Sequence, residues 1–332
     1  MEEGNSKVKV ASLLWLEGFR EACCLHRVLI LCFRSNTLLI RTGQCFLLNG
    51  FIFLGSIFVL NSLVIPALRW ILPDQCSHLV SHELCDLGAT FKFYSFLRLA
   101  LIQLFYVLWF YPLYVFSIVL STIWYNDIAK YGYAAMGRSK LTVEKGSGQN
   151  KSLTVQNTSH VKRPSGLGGV MIGIGEQVYS LLLLSVFFLE VYATGFIPYI
   201  GKVLNFLLLS WMYAYYCFEY KWNFNEVALE RRLDYFESNW PFFAGFGSPC
   251  VLAIFFFSPL VSYGIMAILF PLFVLTATGS EVEQEISFEK HKWRAAGVGR
   301  LPIFYVADNV SMWMLSLLPL EKGEQVQNRK AE

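Results

Sequence analysis

Between Glu237 and Glu281 the chain runs 43 residues without a charge or a histidine, yet four prolines interrupt the run: Pro241, Pro249, Pro259 and Pro271. As one helix the stretch is about 65 Å long, roughly twice the hydrocarbon core of a bilayer. Proline inside a helix removes a hydrogen bond and clashes with the preceding turn. The stretch therefore reads as two short membrane helices folded back on each other. A broken helix in lipid needs protein around it, because its backbone polar groups must be satisfied internally.

Three further apolar blocks precede it. Thr42 to Leu68 is uncharged between Arg41 and Arg69, and Leu99 to Asn126 is uncharged between Arg98 and Asp127. Each is long enough to span with some tilt. Gln177 to Phe218 holds only Glu190 and Lys202, and it breaks at the turn-like Pro198-Tyr199-Ile200-Gly201. Its second half, Val203 to Phe218, is short for a full span. The whole chain is 55% hydrophobic and 15% charged, against about 25% charged for a soluble domain. No cleavable signal peptide is expected, because Glu2 and Glu3 stand where a basic n-region belongs.

The expected fold is an all-α integral membrane protein. It has two long transmembrane helices (42–68 and 99–126) and two helical hairpins (177–218 and 238–280), fully spanning or hemi-penetrating. Interfacial amphipathic helices lie at both ends. The expected division is a cytosolic N-terminal segment (1–41), a membrane domain (42–280) with a mobile cytosolic loop (139–169), and a cytosolic C-terminal segment (281–332). Lysine and arginine set the orientation. Six precede the first span, three lie in 69–98, seven lie between Lys130 and Arg163, and seven follow Ser280. Both termini are therefore placed in the cytosol and 69–98 in the lumen. The sequons at Asn157 and Asn309 should then stay unmodified.

Residues 11–34 have Glu17, Arg20, Glu21 and Arg27 on one helical face and Trp15, Phe19, Ala22, Leu29 and Phe33 opposite. Two readings are open: a helix in the headgroup plane, or one packed on the cytosolic end of the bundle. Cys23-Cys24 is a candidate for palmitoylation, against simple packing. The glycines of GLGGVMIGIG (166–175) follow no strand and precede no Gly-Lys-Ser/Thr, so they read as close-packing positions rather than a nucleotide loop. Glu219, Glu226, Glu230, Asp234 and Glu237 fall on one helical stripe, read as a solvated cytosolic face or as a docking surface for a basic partner. Residues 301–320 read as a peripheral interfacial helix.

Cys76 and Cys85 bracket CSHLVSHELC and are the candidate disulfide, free thiols and a metal site with His78 and His82 being the alternatives. Glu190 is a candidate intramembrane polar site. No nucleophile–base pair or metalloprotease motif occurs, so no enzyme activity, cofactor or metal is expected. Expected contacts are the lipid bilayer and protein partners on the cytosolic face, with homo-oligomerisation open and no nucleic acid. Arg329 and Lys330 near the end resemble a dilysine-type retrieval signal for the endoplasmic reticulum.

A series of motifs carries a likeness: WYNDIA (124–129), YCFEYKW (216–222), NWPFFAGFGSP (239–249) and LFPLF (269–273). Over roughly 40–280 the chain resembles the etoposide-induced 2.4 (CysZ-like) family, its plant members in particular. The motif residues are Trp124, Asp127, Tyr216, Cys217, Phe218, Glu219, Tyr220, Trp222, Arg232, Glu237, Asn239, Trp240, Pro241, Gly245, Gly247 and Pro271. The resemblance implies an endoplasmic-reticulum membrane protein. Animal members are tied to autolysosome maturation and to stress-induced growth suppression and cell death. The bacterial CysZ permeases, with two long helices and two hemi-penetrating hairpins, imply a rival reading as an anion permease. There the N–H groups near Gly245 and Gly247 would hold the anion. Lipid handling is a third option.

Overall fold

The computed structural model describes residues 2–71, 88–146, 167–281 and 299–317, and every regular element among them is a helix. Helix α1 is Glu2–Ala22 and α2 is Leu25–Arg34. Helix α3 is one rod, Asn36–Ile71, with π turns at Leu47–Leu54 and Leu60–Val64. Helix α4 is a second rod, built from Gly88–Phe105, a π turn at Tyr106–Phe110, and Tyr111–Gly146. The first hairpin is α5 (Leu167–Thr194) and α6 (Gly201–Phe224), followed by the short α7 (Leu229–Ser238). The second hairpin is α8 (Trp240–Leu252) and α9 (Pro259–Gly279), and α10 is Tyr305–Leu317. Among the described residues three helices are long and apolar enough to cross a membrane: Asn36–Ile71, Lys92–Gly137 and Pro259–Gly279. The chain is an all-α membrane protein whose long helices contact lipid.

The prolines divide by position. Pro241 and Pro259 sit in the first turns of α8 and α9, where a helix has no partner for the missing N–H anyway. Pro249 and Pro271 lie inside those helices without ending them. The expectation that prolines trim both arms of the second hairpin below a full span therefore holds for α8, at 13 residues, and fails for α9, at 21 residues. Pro271 is buried, in the protein surroundings that let a membrane helix keep a proline.

Helix α8 is the centre of the molecule, with α1 on one side and α6 on the other. Backbones touch at three glycines. A Cβ on Gly245 would stand 1.9 Å from the Trp15 carbonyl oxygen, and one on Gly18 would stand 2.0 Å from that of Phe242. A Cβ on Gly247 would stand 1.8 Å from the carbonyl oxygen of Ser210. Around these contacts Phe218 meets Phe242, Phe243 and Phe246, and Phe236 stacks on Phe243 at 4.3 Å. A second core lies where α2, α3, α4 and α9 meet, around Val28, Leu31, Leu38, Ile128 and Leu275. Between α3, α4 and α9 a buried amide joins the helices. Asn49 donates to Ser121 Oγ at 2.9 Å and accepts from Ser117, whose hydroxyl also meets Tyr263 at 2.9 Å.

The heights of these contacts compare the hairpin with the rods. Arg41 and Asp127 pair at 3.4 Å at one end of the uncharged stretches. Near that level Tyr125 packs on Phe270 and Gly132 faces Leu275. Further in, Tyr263 meets Phe53 and Tyr114, and Gly264 faces Leu54. The tip of the hairpin at Pro259 is one turn beyond. From Pro271 to Pro259 the rise is about 18 Å, while Thr42 to Leu68 rises about 40 Å. The last buried residues on the rods are Leu60 and Phe110; beyond them no described side chain toward Arg69 or Arg98 is buried.

Several expectations need correction. Residues 11–34 are not one interfacial helix: the chain breaks at Cys23-Cys24, and α1 packs along α8, with Glu21 fully buried and held by Arg27 at 2.6 and 3.0 Å. The carboxylate stripe is split by the turn at Asn225–Ala228, where Glu226 has φ 51°. The second arm of the first hairpin is longer than Val203 to Phe218, because α6 runs 24 residues through Glu219 and Lys221. Helix α4 continues to Gly146 and α5 starts at Leu167, so the expected loop 139–169 is helical at both its edges; residues 147–166 lie outside the described residues. Gly175 faces open space, so the close packing expected of it occurs at Gly18, Gly245 and Gly247 instead.

Candidate functional site

The residues at the junction of the two hairpins converge on Glu237, in the last turn of α7. Its Oε2 accepts from Arg300 Nε at 2.8 Å and from an Arg300 Nη at 2.7 Å. Its Oε1 accepts from the Phe304 N–H at 3.0 Å, and its backbone oxygen accepts from Leu301 N–H at 3.2 Å. Three residues on, the Trp240 indole donates to the Gly299 carbonyl at 3.2 Å, and the Trp240 carbonyl accepts from the Trp211 indole at 3.0 Å. The knot fastens residues 299–304 to the start of α8. Glu237 is buried while Arg300 is about half exposed, so one side of the pair is desolvated and the other wet. The hydrogen bond and charge of Glu237 hold Arg300 above its ordinary value. Asp234 adds a second contact to Arg300 at 2.8 Å, exposed on both sides and of small weight.

Behind the carboxylate the chain is aromatic. Phe304 is buried against Phe187, Tyr215 and Phe236, at 5.0, 5.3 and 5.7 Å between ring centres. Helix α10 then runs along α5, and the Tyr179 hydroxyl donates to Asp308. The segment from 299 is thus built into the same core as the hairpins, and Ala307 and Ser311 are buried beneath it.

The other motif residues serve this packing. Arg232 is buried and donates to the Val227 carbonyl at 2.7 Å and to Asn223 Oδ1 at 2.6 Å, closing the turn after α6. It does not reach Glu237, and Arg231 is exposed; Glu237 is paired by Arg300 instead. Arg232 is the positive charge that acts on Glu219, which is half-buried on α6. Cys217, Phe218 and Trp222 are buried on α6, with Tyr216 and Tyr220 half-buried beside them. Asn239 donates to the Tyr235 carbonyl at 2.7 Å, and Pro241 opens α8. Trp124 and Asp127 are on α4, by the second core, and Pro271 is in the middle of α9.

Two candidate sites stand apart. Glu190 is half-buried on α5 near the tip of the first hairpin, its Oε2 buried without a hydrogen-bond partner among the described residues. Cys76, Cys85, His78 and His82 lie outside the described residues. The anion seat expected near Gly245 and Gly247 is closed. Carbonyl oxygens of Trp15 and Ser210 press on both glycines, and an oxygen lone pair repels an anion where an N–H would attract it.

Arg300 and Phe304 carry the junction and went unread in the sequence. Arg300 is 63 residues from Glu237 and sits in a stretch without periodicity. The Ile303-Phe304 pair in front of an apolar run was the usable signal. Asn49 was also unread, although an amide inside a lipid-spanning stretch points to a partner on another helix.

Comparisons with known proteins agree with the motifs. A family model described as sulfate transporter CysZ/etoposide-induced protein 2.4 matches residues 24–271. The chain is 65% identical over 321 residues to "Protein EI24 homolog" of Arabidopsis thaliana, covering 97% of this chain and 99% of that one. It is 27% identical over 308 residues to "Protein EI24 homolog" of Dictyostelium discoideum, covering 92% and 84%. It is 30% identical over 169 residues to "Ectopic P granules protein 4" of Caenorhabditis elegans, covering 50% and 46%. No solved structure matches significantly. With motif, helix order and near-full-length identity in agreement, the chain belongs to the sulfate transporter CysZ/etoposide-induced protein 2.4 family.

Proposed function

We propose that this chain is a non-enzymatic scaffold or tether of the endoplasmic-reticulum membrane, acting in autophagy at autolysosome maturation and in stress and cell-death responses. Both termini face the cytosol. The observation that carries the reading is the closure of the hairpin junction. The glycines that an anion permease would keep for its ion are occupied by helix backbones, and Glu237 beside them is held by Arg300. A junction packed this way holds a shape, and its rim offers exposed Glu226, Glu230 and Asp234 to protein partners.

The hairpins are read as hemi-penetrating. The second dips about 18 Å below the Arg41–Asp127 level, near half of the uncharged length of the rods. Both tips are apolar: Phe196 and Tyr199 in one turn and Phe256 and Phe257 in the other are exposed. A turn that emerged into water would be rich in polar turn formers.

The family name favours a second reading, a sulfate-like anion permease. One paired experiment separates them: sulfate flux into proteoliposomes holding the purified chain, and turnover of autophagic cargo in cells lacking it. The scaffold reading expects background flux and stalled turnover. Saturable sulfate uptake with normal turnover overturns it. Endoglycosidase treatment tests orientation, since a mass shift at Asn157 or Asn309 reverses the topology.

A further inference from the structure

Beyond their last buried residues the two rods face each other, and between them lies a cleft of about 390 Å³. Its floor is Val64 and Leu68 of α3 with Ile102 and Phe105 of α4, and its walls include Leu104 and Trp109. The volume falls within the range of about 300–1,000 Å³ usual for small-molecule sites. Ordinary sites of that size place a few polar groups to orient their ligand. Every side chain here is a hydrocarbon or an aromatic ring. The cleft opens onto the apolar faces of the rods, where Leu63, Val107 and Leu108 are exposed. At one end Arg69 follows Leu68, and Arg98 precedes Leu101 by one helical turn on the same face.

We propose that this cleft is a phospholipid site, with an acyl chain lying between α3 and α4 and the phosphate at the arginine end. The surroundings argue for this occupant. The rods stand in lipid, so the available ligand is a molecule with a hydrocarbon tail and a headgroup at the height of Arg69 and Arg98. An anionic phosphate suits the exposed Arg69 cation there. The site goes beyond the scaffold reading and stands or falls independently of it.

The test uses the full-length chain in phosphatidylcholine vesicles doped with a phosphatidylcholine that carries a diazirine midway along one acyl chain. After illumination the adducts are mapped by peptide mass spectrometry. Adducts should concentrate on 64–68 and 101–109. Filling the cleft by Leu104→Trp should lower them there by about tenfold, the equivalent of about 1.4 kcal/mol of binding. Labelling at Phe58 and Phe116, on the outer faces, should stay unchanged and reports that the variant is folded. Val64→Phe is the second filler if Leu104→Trp does not fold. Even labelling along both rods, unaffected by either filler, overturns the proposal. So does efficient intermolecular disulfide formation by Leu104→Cys, which would make a second copy of the chain the occupant.

Discussion

The centre of the bundle and the outer reach of the two rods are both apolar, and they have opposite fates. Helix α8 is hydrophobic on all sides and buried on nearly all of them. The rods are also hydrophobic on all sides, yet only 11% and 17% of their most apolar windows is buried, against 50% for α9. In lipid, apolarity draws a segment out of water without choosing its neighbour. The choice comes from shape. Where Gly18, Gly245 and Gly247 remove side chains, backbones touch and a helix is enclosed. Where the rods carry Phe58, Phe96 or Leu108 outward, lipid is the neighbour.

Changes that put volume between touching backbones should break this contrast most severely. Gly247→Val forces a Cβ into the Ser210 carbonyl, with backbone and not a flexible side chain in the way. The expected loss is about 3 kcal/mol or more, seen as absence of a monodisperse peak in detergent chromatography. Next is Glu237→Ala, which leaves the Phe304 N–H buried and unpaired and leaves Arg300 to the exposed Asp234. About 2 kcal/mol is expected, since half of the ion pair is already in water. Limited proteolysis should show residues 299–317 released first. Asn49→Ala removes the amide between α3 and α4 and should cost about 1 kcal/mol in thermal unfolding, within the range of hydrogen bonds between membrane helices. Phe58→Ala, on the lipid-facing rod, should move the unfolding midpoint least, by less than about 0.5 kcal/mol. A Phe58→Ala effect as large as that of Gly247→Val would show the rod to be a protein interface, and the contrast would fail.

What the sequence disclosed follows the same division. The rods were legible because charges at Arg41, Arg69, Arg98 and Asp127 bracket uncharged runs that lipid alone must hold. The hairpins were legible because Pro198 and Pro259 mark where the chain turns. Of the family-motif residues, Glu237, Asn239 and Trp240 lie at the junction and Gly245 and Gly247 lie along α8, whereas Trp124 and Asp127 lie by the second core. The partners were not legible. A backbone contact such as Gly18 on Phe242 leaves no trace beyond one glycine on an amphipathic helix. The match of Glu237 to Arg300 crosses 63 residues, with other basic residues such as Arg231 and Arg232 nearer in sequence. Pro271 misled because a proline ends a helix in water more readily than in a packed membrane bundle.

The seating of α1 against α8 has a consequence in time. The ribosome delivers Gly18 first and Gly245 about 227 residues later. At about 5–20 residues per second, α1 waits about 11–45 s for the helix it packs against. Through that interval both rods and the first hairpin are already being inserted. The apolar face of α1 has one other place to go, the headgroup layer of the membrane, for which its amphipathic pattern suits it. Two addresses are thus written into one helix: a provisional one on the membrane surface during synthesis, and a final one inside the bundle. A ribosome-arrested chain ending before Trp240 should leave α1 on the membrane surface, open to protease, and a chain arrested late enough for α8 to insert should protect it.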